Sequence, residues 1–273
     1  MDFKVTLIQS NIKIGDEDYN FKKTKEMLHQ AVAAETDVVV LPETWLTGFS
    51  SEIFNNIEKY AKKENGEMVH YLKDFAVDND LHIVAGTIYE KERDGNIYNT
   101  LYFINNKGTI GAKYSKMHLY SPGGEQDVIT PGSSISTYKT EFGKFGFIIC
   151  YDIRFPELIR LYALEDIDVL YVTANFNDPK RNQWLNQLKA RALENQIYVV
   201  ACNRSGEKYF GNSVIISPEG EITMNAGRRE GVYSGFIDLS LVKAVRTELP
   251  LLEDRRDDVY NLEVRWGDIW CSM

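Results

Sequence analysis

Phe145-Gly146-Phe147-Ile148-Ile149-Cys150 leads into Tyr151-Asp152-Ile153-Arg154-Phe155 and then Pro156. The apolar run predicts a strand over 145–150, the next five residues a short link, and the proline a helix start, carried on by Leu158, Ile159, Leu161 and Tyr162. Downstream the plan continues with a strand over 168–174, a helix from Trp184 to Asn195 and a strand over 197–202. A hairpin of 213–216 with 218–221 follows. Upstream, a strand over 5–10 precedes a helical stripe of Phe21, Leu28, Ala31 and Val32. Val38-Val39-Val40-Leu41 is continuously apolar, as expected of a strand covered on both faces, and runs into Pro42-Glu43. Met68, Leu72, Phe75 and Asn79 share a helical face, 81–88 and 98–104 read as strands, and a short strand carries Tyr114 to His118. The Gly- and Pro-rich stretch 119–134 reads as a loop. Strands interleaved with helices predict an α/β layered sandwich, and with no linker, repeat or low-complexity tract the chain is expected to be a single domain, 1–273. The residues from about Leu241 are charged and read as an irregular extension that frays or lies across a partner subunit.

The 273 residues, 44% hydrophobic and 26% charged, have the composition of an ordinary globular protein rather than a disordered one. Forty acidic against 31 basic side chains give a net charge of -9, the wrong sign for nucleic acid or an anionic membrane surface. The amino terminus lacks a basic stretch followed by a long apolar one, so a cytoplasmic location is expected. Cys150, Cys202 and Cys271 form neither a disulfide framework nor a Cys-x-x-Cys pair, and the four histidines lack metal-ligand spacing; no metal is expected.

Three reactive side chains stand where strands end: Glu43, Lys116 and Cys150. In α/β sheets the crevice at the carboxyl ends of strands is the usual ligand site. Each has a plain alternative: a buried small hydrophobe for Cys150, a cap or ion pair for Glu43, a solvated amine for Lys116. A cysteine attacks as thiolate and needs a base, while the carbonyl it attacks needs a cation or N–H donor for its oxyanion. On a tight strand-to-helix turn, the backbone N–H of Tyr151 is placed to be such a donor. A papain-like pairing of Cys150 with His118 is the rival chemistry.

At these residues the sequence resembles the nitrilase, or carbon–nitrogen hydrolase, superfamily. Leu41-Pro42-Glu43-Thr44-Trp45 looks like its glutamate motif, Tyr114-Ser115-Lys116-Met117-His118 its lysine motif and Cys150-Tyr151-Asp152-Ile153-Arg154-Phe155-Pro156-Glu157 its cysteine motif; Trp184 and the run 190–196 also match. The resemblance implies a four-layer αββα sandwich, Glu43 as general base, Cys150 as nucleophile, Lys116 as the oxyanion's cation and Glu125 as the carboxylate holding Lys116. It also implies no cofactor, and a homodimer with the segment from Leu241 crossing the interface. Cys-Tyr-Asp-x-Arg-Phe-Pro-Glu together with Thr173-Ala174-Asn175-Phe176 looks most like the ω-amidase branch, which hydrolyses side-chain amides of 2-oxo acids with release of ammonia; Phe176 replaces a Trp common in that pattern. Deaminated glutathione and N-carbamoyl amino acids are the alternative substrates, transfer to an amine instead of water the alternative reaction, and a catalytically idle scaffold the alternative class.

Arg154 is placed to grip a substrate carboxylate through paired hydrogen bonds, unless it pairs with Glu157 or Asp152. Trp45, Phe49, Tyr120, Phe176 and Trp184 are candidate pocket walls or core.

Overall fold

In the computed structural model, residues 2–260 and 262 are described. In chain order the elements are β1 (Asp2–Gln9), α1 (Glu17–Ala33), β2 (Val38–Val40), α2 (Ser51–Asn55), α3 (Ile57–Tyr60), α4 (Glu67–Asp78), β3 (His82–Lys91), β4 (Ile97–Ile104) and β5 (Ile110–Ser115). Then come β6 (Thr137–Thr140), β7 (Gly143–Ile149), α5 (Pro156–Leu164), β8 (Val169–Ala174), α6 (Arg181–Asn195), β9 (Tyr198–Asn203), β10 (Ser205–Gly206) and β11 (Tyr209–Phe210). β12 (Val214–Ile216), β13 (Ile222–Asn225), β14 (Gly231–Asp238) and α7 (Leu239–Glu248) complete the series.

Two six-stranded sheets result, ordered β14-β1-β2-β3-β4-β5 and β13-β12-β9-β8-β7-β6. Each has a parallel centre, β1-β2-β3 and β7-β8-β9, extended by antiparallel strands. Successive side chains on a strand face opposite ways, and the burial follows. Val38 and Val40 join a core shared with Phe147, Val172 and Ala201 of the other sheet, whereas Val39 joins one shared with Leu28 of α1 and Leu72 of α4. Leu158, Ile159 and Leu188 bring α5 and α6 into the first of these cores. Each such buried aliphatic side chain is worth about 1.5–3 kcal/mol against exposure. Even the thiol of Cys202 on β9 donates across the sheets, to Ile8 O at 3.3 Å and Val40 O at 3.4 Å.

The expected single-domain α/β arrangement of strands interleaved with helices is present, with local departures from the expected elements. Pro218-Glu219-Gly220 is the turn of the last hairpin rather than its second strand: Gly220 takes φ +78, and Ser217 donates to Glu221 O at 2.8 Å. β5 starts earlier than expected and ends at Ser115, so Lys116 stands just beyond it. The residues from Leu241 are not irregular at first, since α7 runs to Glu248 behind an Asp238 side chain that caps Ser240 N–H at 2.8 Å. β14 pairs with β1 along its whole length, a contact between opposite ends of the chain that no local pattern announces. Cys271 and most of the expected extension beyond Tyr260 lie outside the described residues.

Candidate active site

Each reactive side chain is delivered by a strand end and fixed by backbone geometry. Beyond β2, Leu41 N–H donates to Val84 O at 2.9 Å, and Thr44 adopts a left-handed φ of +45 with its N–H on Thr87 Oγ1. This bend turns Glu43 into the interior. Gly86 makes it possible: at φ +57, a Cβ there would stand 2.1 Å from Pro42 O. Lys116 is pinned by its own N–H, which donates to Asn99 O at 2.9 Å, and by its carbonyl, which accepts from Gly132 N–H.

Cys150 follows β7 with φ +47, in a conformation L-residues seldom adopt, and opens a tight 3-10 turn before α5. Buried Asp152 ties this elbow together. Its Oδ2 accepts from Ile149 N–H at 3.0 Å and Tyr114 OH at 2.7 Å, and its Oδ1 accepts from His118 N–H at 2.9 Å with His118 Nδ1 2.8 Å away.

The three side chains meet. Lys116 Nζ donates to Glu43 Oε1 at 2.9 Å and to Glu125 Oε2 at 2.8 Å, with all three residues buried. Asn99 Nδ2 donates to both carboxylates too, to Glu43 Oε1 at 3.0 Å and Glu125 Oε1 at 2.9 Å. Glu43 Oε2 has none of these partners, and the carboxyl lies beside the Cys150 thiol in the same pocket. Asn175, just beyond β8, donates from Nδ2 to Glu43 O at 3.0 Å and to Thr44 Oγ1 at 2.6 Å, while its backbone amide faces Cys150.

Burial governs the electrostatics. It raises the Glu43 carboxyl above its ordinary value, partly offset by Lys116. It pushes the Cys150 thiol well up, reinforced by the Glu43 charge and opposed by Lys116. Burial alone would lower Lys116, but Glu125, Glu43 and Cys150 outweigh it and hold the ammonium protonated. These shifts favour the protonated thiol and the ammonium, and raise the affinity of the Glu43 carboxyl for a proton.

A pocket opens onto Glu43, Lys116 and Cys150. Its walls include Phe49, Tyr120, Tyr151, Arg154, Asn175 and Phe176, and also Asn177, Lys180 and Tyr209. Of the five aromatic candidates for wall or core, Trp45 and Trp184 are core: their ring N–H groups are spent on Ala85 O at 2.8 Å and Asn212 O at 2.9 Å. Arg154 pairs with neither Asp152, whose oxygens are taken, nor Glu157; it lies over the Tyr151 and Phe176 rings and donates to Gln183 Oε1 at 3.1 Å. His118 stacks on Phe155 at 3.6 Å and faces Asp152 rather than the pocket, so no Cys150–His118 pair forms.

Asn99 escaped the sequence reading, its only signal being an amide inside the apolar strand Ile97–Ile104. Lys180, Asn177 and Tyr209 gave no signal, because nothing local says that the segments after β8 and β10 border this pocket.

The carbon-nitrogen hydrolase family profile matches residues 4–247. The chain belongs to the carbon-nitrogen hydrolase family. This hydrolase is 34% identical to the 2-oxoglutaramate amidase of Bacillus subtilis over 264 residues, 95% of this chain and all of that protein. It is 30% identical to the ω-amidase NIT2 of Homo sapiens, across 96% of this chain and 98% of that one. Among solved structures it resembles Saccharomyces cerevisiae Nit3, a member of branch 10 of the nitrilase superfamily, with a TM-score of 0.86 and 29% identity over 93% of this chain and 97% of that one. The hydrolase therefore acts on carbon–nitrogen bonds other than peptide bonds, and no helix among its described residues is long and apolar enough to cross a membrane.

Proposed function

We propose that this hydrolase is a cytoplasmic ω-amidase, a thiol amidohydrolase that releases ammonia from the side-chain amide of a small 2-oxo acid. The observation that carries the chemistry is the division of labour on Glu43: Oε1 is held by Lys116 and Asn99, and Oε2 is left for the thiol. Glu43 Oε2 takes the thiol proton as Cys150 Sγ bonds to the amide carbon. The oxyanion forms against the Lys116 ammonium and the Tyr151 N–H, and Glu43 returns the proton to the nitrogen as the C–N bond breaks and ammonia leaves. A water then gives a proton to Glu43 and its oxygen to the thioester carbon; the carbon–sulfur bond breaks, and the thiol is restored. Glu125 keeps Lys116 in place, and Asn175 holds the Glu43 backbone against the cysteine loop.

The substrate assignment draws on the 2-oxoglutaramate amidase and ω-amidase relatives and on Arg154, a guanidinium on the pocket wall that its aromatic neighbours orient but no carboxylate satisfies among the described residues. The test is ammonia release from 2-oxoglutaramate, glutamine, an N-carbamoyl amino acid and deaminated glutathione, with and without an amine acceptor. Fastest turnover of 2-oxoglutaramate, absent in Cys150→Ala, is expected. Activity confined to another of the four, or surviving in Cys150→Ala, would reject the proposal.

The same reading assigns the two sheets and their flanking helices to a four-layer αββα sandwich, doubled by a symmetric dimer. Exposed Leu164, Leu193, Leu249 and Leu251, on α5, on α6 and after α7, support an interface that the C-terminal segment crosses. Gel filtration is expected to give twice the chain mass of 31.3 kDa; a monomer at micromolar concentration would refute the dimer.

A further inference from the structure

The pocket contains two cations besides Lys116, and neither has an ion-pair partner among the described residues. Arg154 spends one N–H on Gln183 and lies over two aromatic rings. Lys180, immediately before α6, points its ammonium at Tyr120 OH at 2.8 Å and at Asn177 Oδ1 at 3.3 Å, and sits 4.9 Å from the centre of the Tyr120 ring. Tyr120 in turn meets Tyr151 edge-on at 5.2 Å, so one aromatic assembly holds both cations in the pocket that Cys150 lines. In a chain of net charge -9, two half-buried cations left without carboxylates in one small pocket are an uncompensated cost. An anionic, acceptor-rich ligand removes that cost.

The two cations are not equivalent. A guanidinium presents a planar fork that matches a carboxylate, whereas an ammonium has three donors, and here two of them are committed to neutral oxygens. One donor remains, which suits a single acceptor beside the carboxylate.

We propose that Lys180 is a specificity-determining residue of this hydrolase, donating its free N–H to the 2-oxo oxygen of the substrate while Arg154 takes the neighbouring carboxylate. This rests on the ω-amidase reading and goes beyond it by naming the group that distinguishes a 2-oxo acid amide from a plain carboxylic acid amide.

The experiment compares 2-oxoglutaramate with glutaramate, in which a methylene replaces the 2-oxo carbonyl, measuring kcat/KM for the wild type, Lys180→Met and Lys180→Arg. The wild-type preference for the oxo substrate is expected to fall about 10- to 100-fold in Lys180→Met, the span for losing one hydrogen bond from a charged donor, chiefly through a higher KM for 2-oxoglutaramate. Glutaramate turnover should fall by a smaller factor than that of 2-oxoglutaramate, and Lys180→Arg should recover part of the preference. Should Lys180→Met not fold, Lys180→Gln is judged by the same ratio. An unchanged ratio in the folded neutral variant, with wild-type activity on 2-oxoglutaramate intact, overturns the role of Lys180 alone. Wild-type enzyme inactive on both substrates overturns the ω-amidase reading and this inference with it.

Discussion

Glu43 Oε1 accepts from Lys116 Nζ at 2.9 Å, and Glu43 Oε2 has no hydrogen-bond partner among the described residues. In the proposed mechanism a single carboxylate thereby serves as the counter-ion of a buried ammonium and as the acceptor of a proton. Glu125 makes the double duty possible, because it supplies the second negative charge that keeps Lys116 protonated when Glu43 is neutral.

Glu43→Gln keeps the shape of the site and its Lys116–Glu125 pair but removes the base. We expect kcat to fall by about 10²- to 10⁴-fold with the fold intact. Circular dichroism beside steady-state kinetics checks this; activity within threefold of wild type would exclude Glu43 as the base.

The Glu43 carboxyl is raised by burial, and the base must be ionised to work. Activity should therefore decline on acidification at a pH above 4.5, the ordinary value for a glutamate. The acid limb of a kcat/KM profile measures it, and a limb at or below 4.5 would contradict the assignment.

Removing Lys116 leaves two buried carboxylates facing one another without a cation. Lys116→Met is expected to destabilise the fold by about 3–5 kcal/mol, whereas Asn99→Ala, which removes one neutral donor from the same carboxylates, should cost about 1–3 kcal/mol. Urea denaturation curves separate the two, and equal losses would mean that the ammonium contributes no more than the amide.

The raised thiol of Cys150 and the raised ammonium of Lys116 have the same linkage sign. Each group keeps its proton in the folded chain where the unfolded chain releases it, so their contributions are whole below the unfolded values of 9.0 and 10.5 and are lost as pH rises beyond them. Stability should begin to drop past about pH 9, and Cys150→Ala should soften the first part of that drop. Urea midpoints between pH 7 and 10.5 test it; a midpoint rising with pH would reverse the sign.

Gly86 lets the chain carrying Glu43 pass: a methyl group there meets Pro42 O at 2.1 Å, and φ is +57. Gly86→Ala should lower stability by more than about 2 kcal/mol and depress activity together with it. A variant as stable and active as wild type would show that the bend adapts.

Much of the hydrolase was legible one segment at a time. The apolar runs ending in Glu43 and Cys150 and the short strand before Lys116 declared both the parallel strands and the positions of reactive groups at their ends, because strand periodicity and a proline helix start are local properties. What eluded that reading shares one character. β14 pairs with β1 from the far end of the chain, Asn99 reaches two carboxylates from an apolar strand, and Lys180 enters the pocket from the turn before α6. Between wall and core, the two readings the sequence left open, the structure puts Trp45 and Trp184 in the core, where their ring N–H groups found carbonyls.

The sequence by itself determined the central strands and the helices α1, α4, α5 and α6, and that a carboxylate, an amine and a thiol stand at the ends of three strands. Only the tertiary structure decided that Lys116 takes one oxygen of Glu43 and leaves the other unpaired, that Asp152 holds the cysteine turn while Arg154 has no carboxylate partner among the described residues, and that Lys180 also borders the pocket. The physical reason is that local propensity acts over a few bonds. Desolvation and hydrogen bonding act between whatever the folded chain brings into contact, and those partners are 73 residues apart for Glu43 and Lys116 and 132 for Glu43 and Asn175.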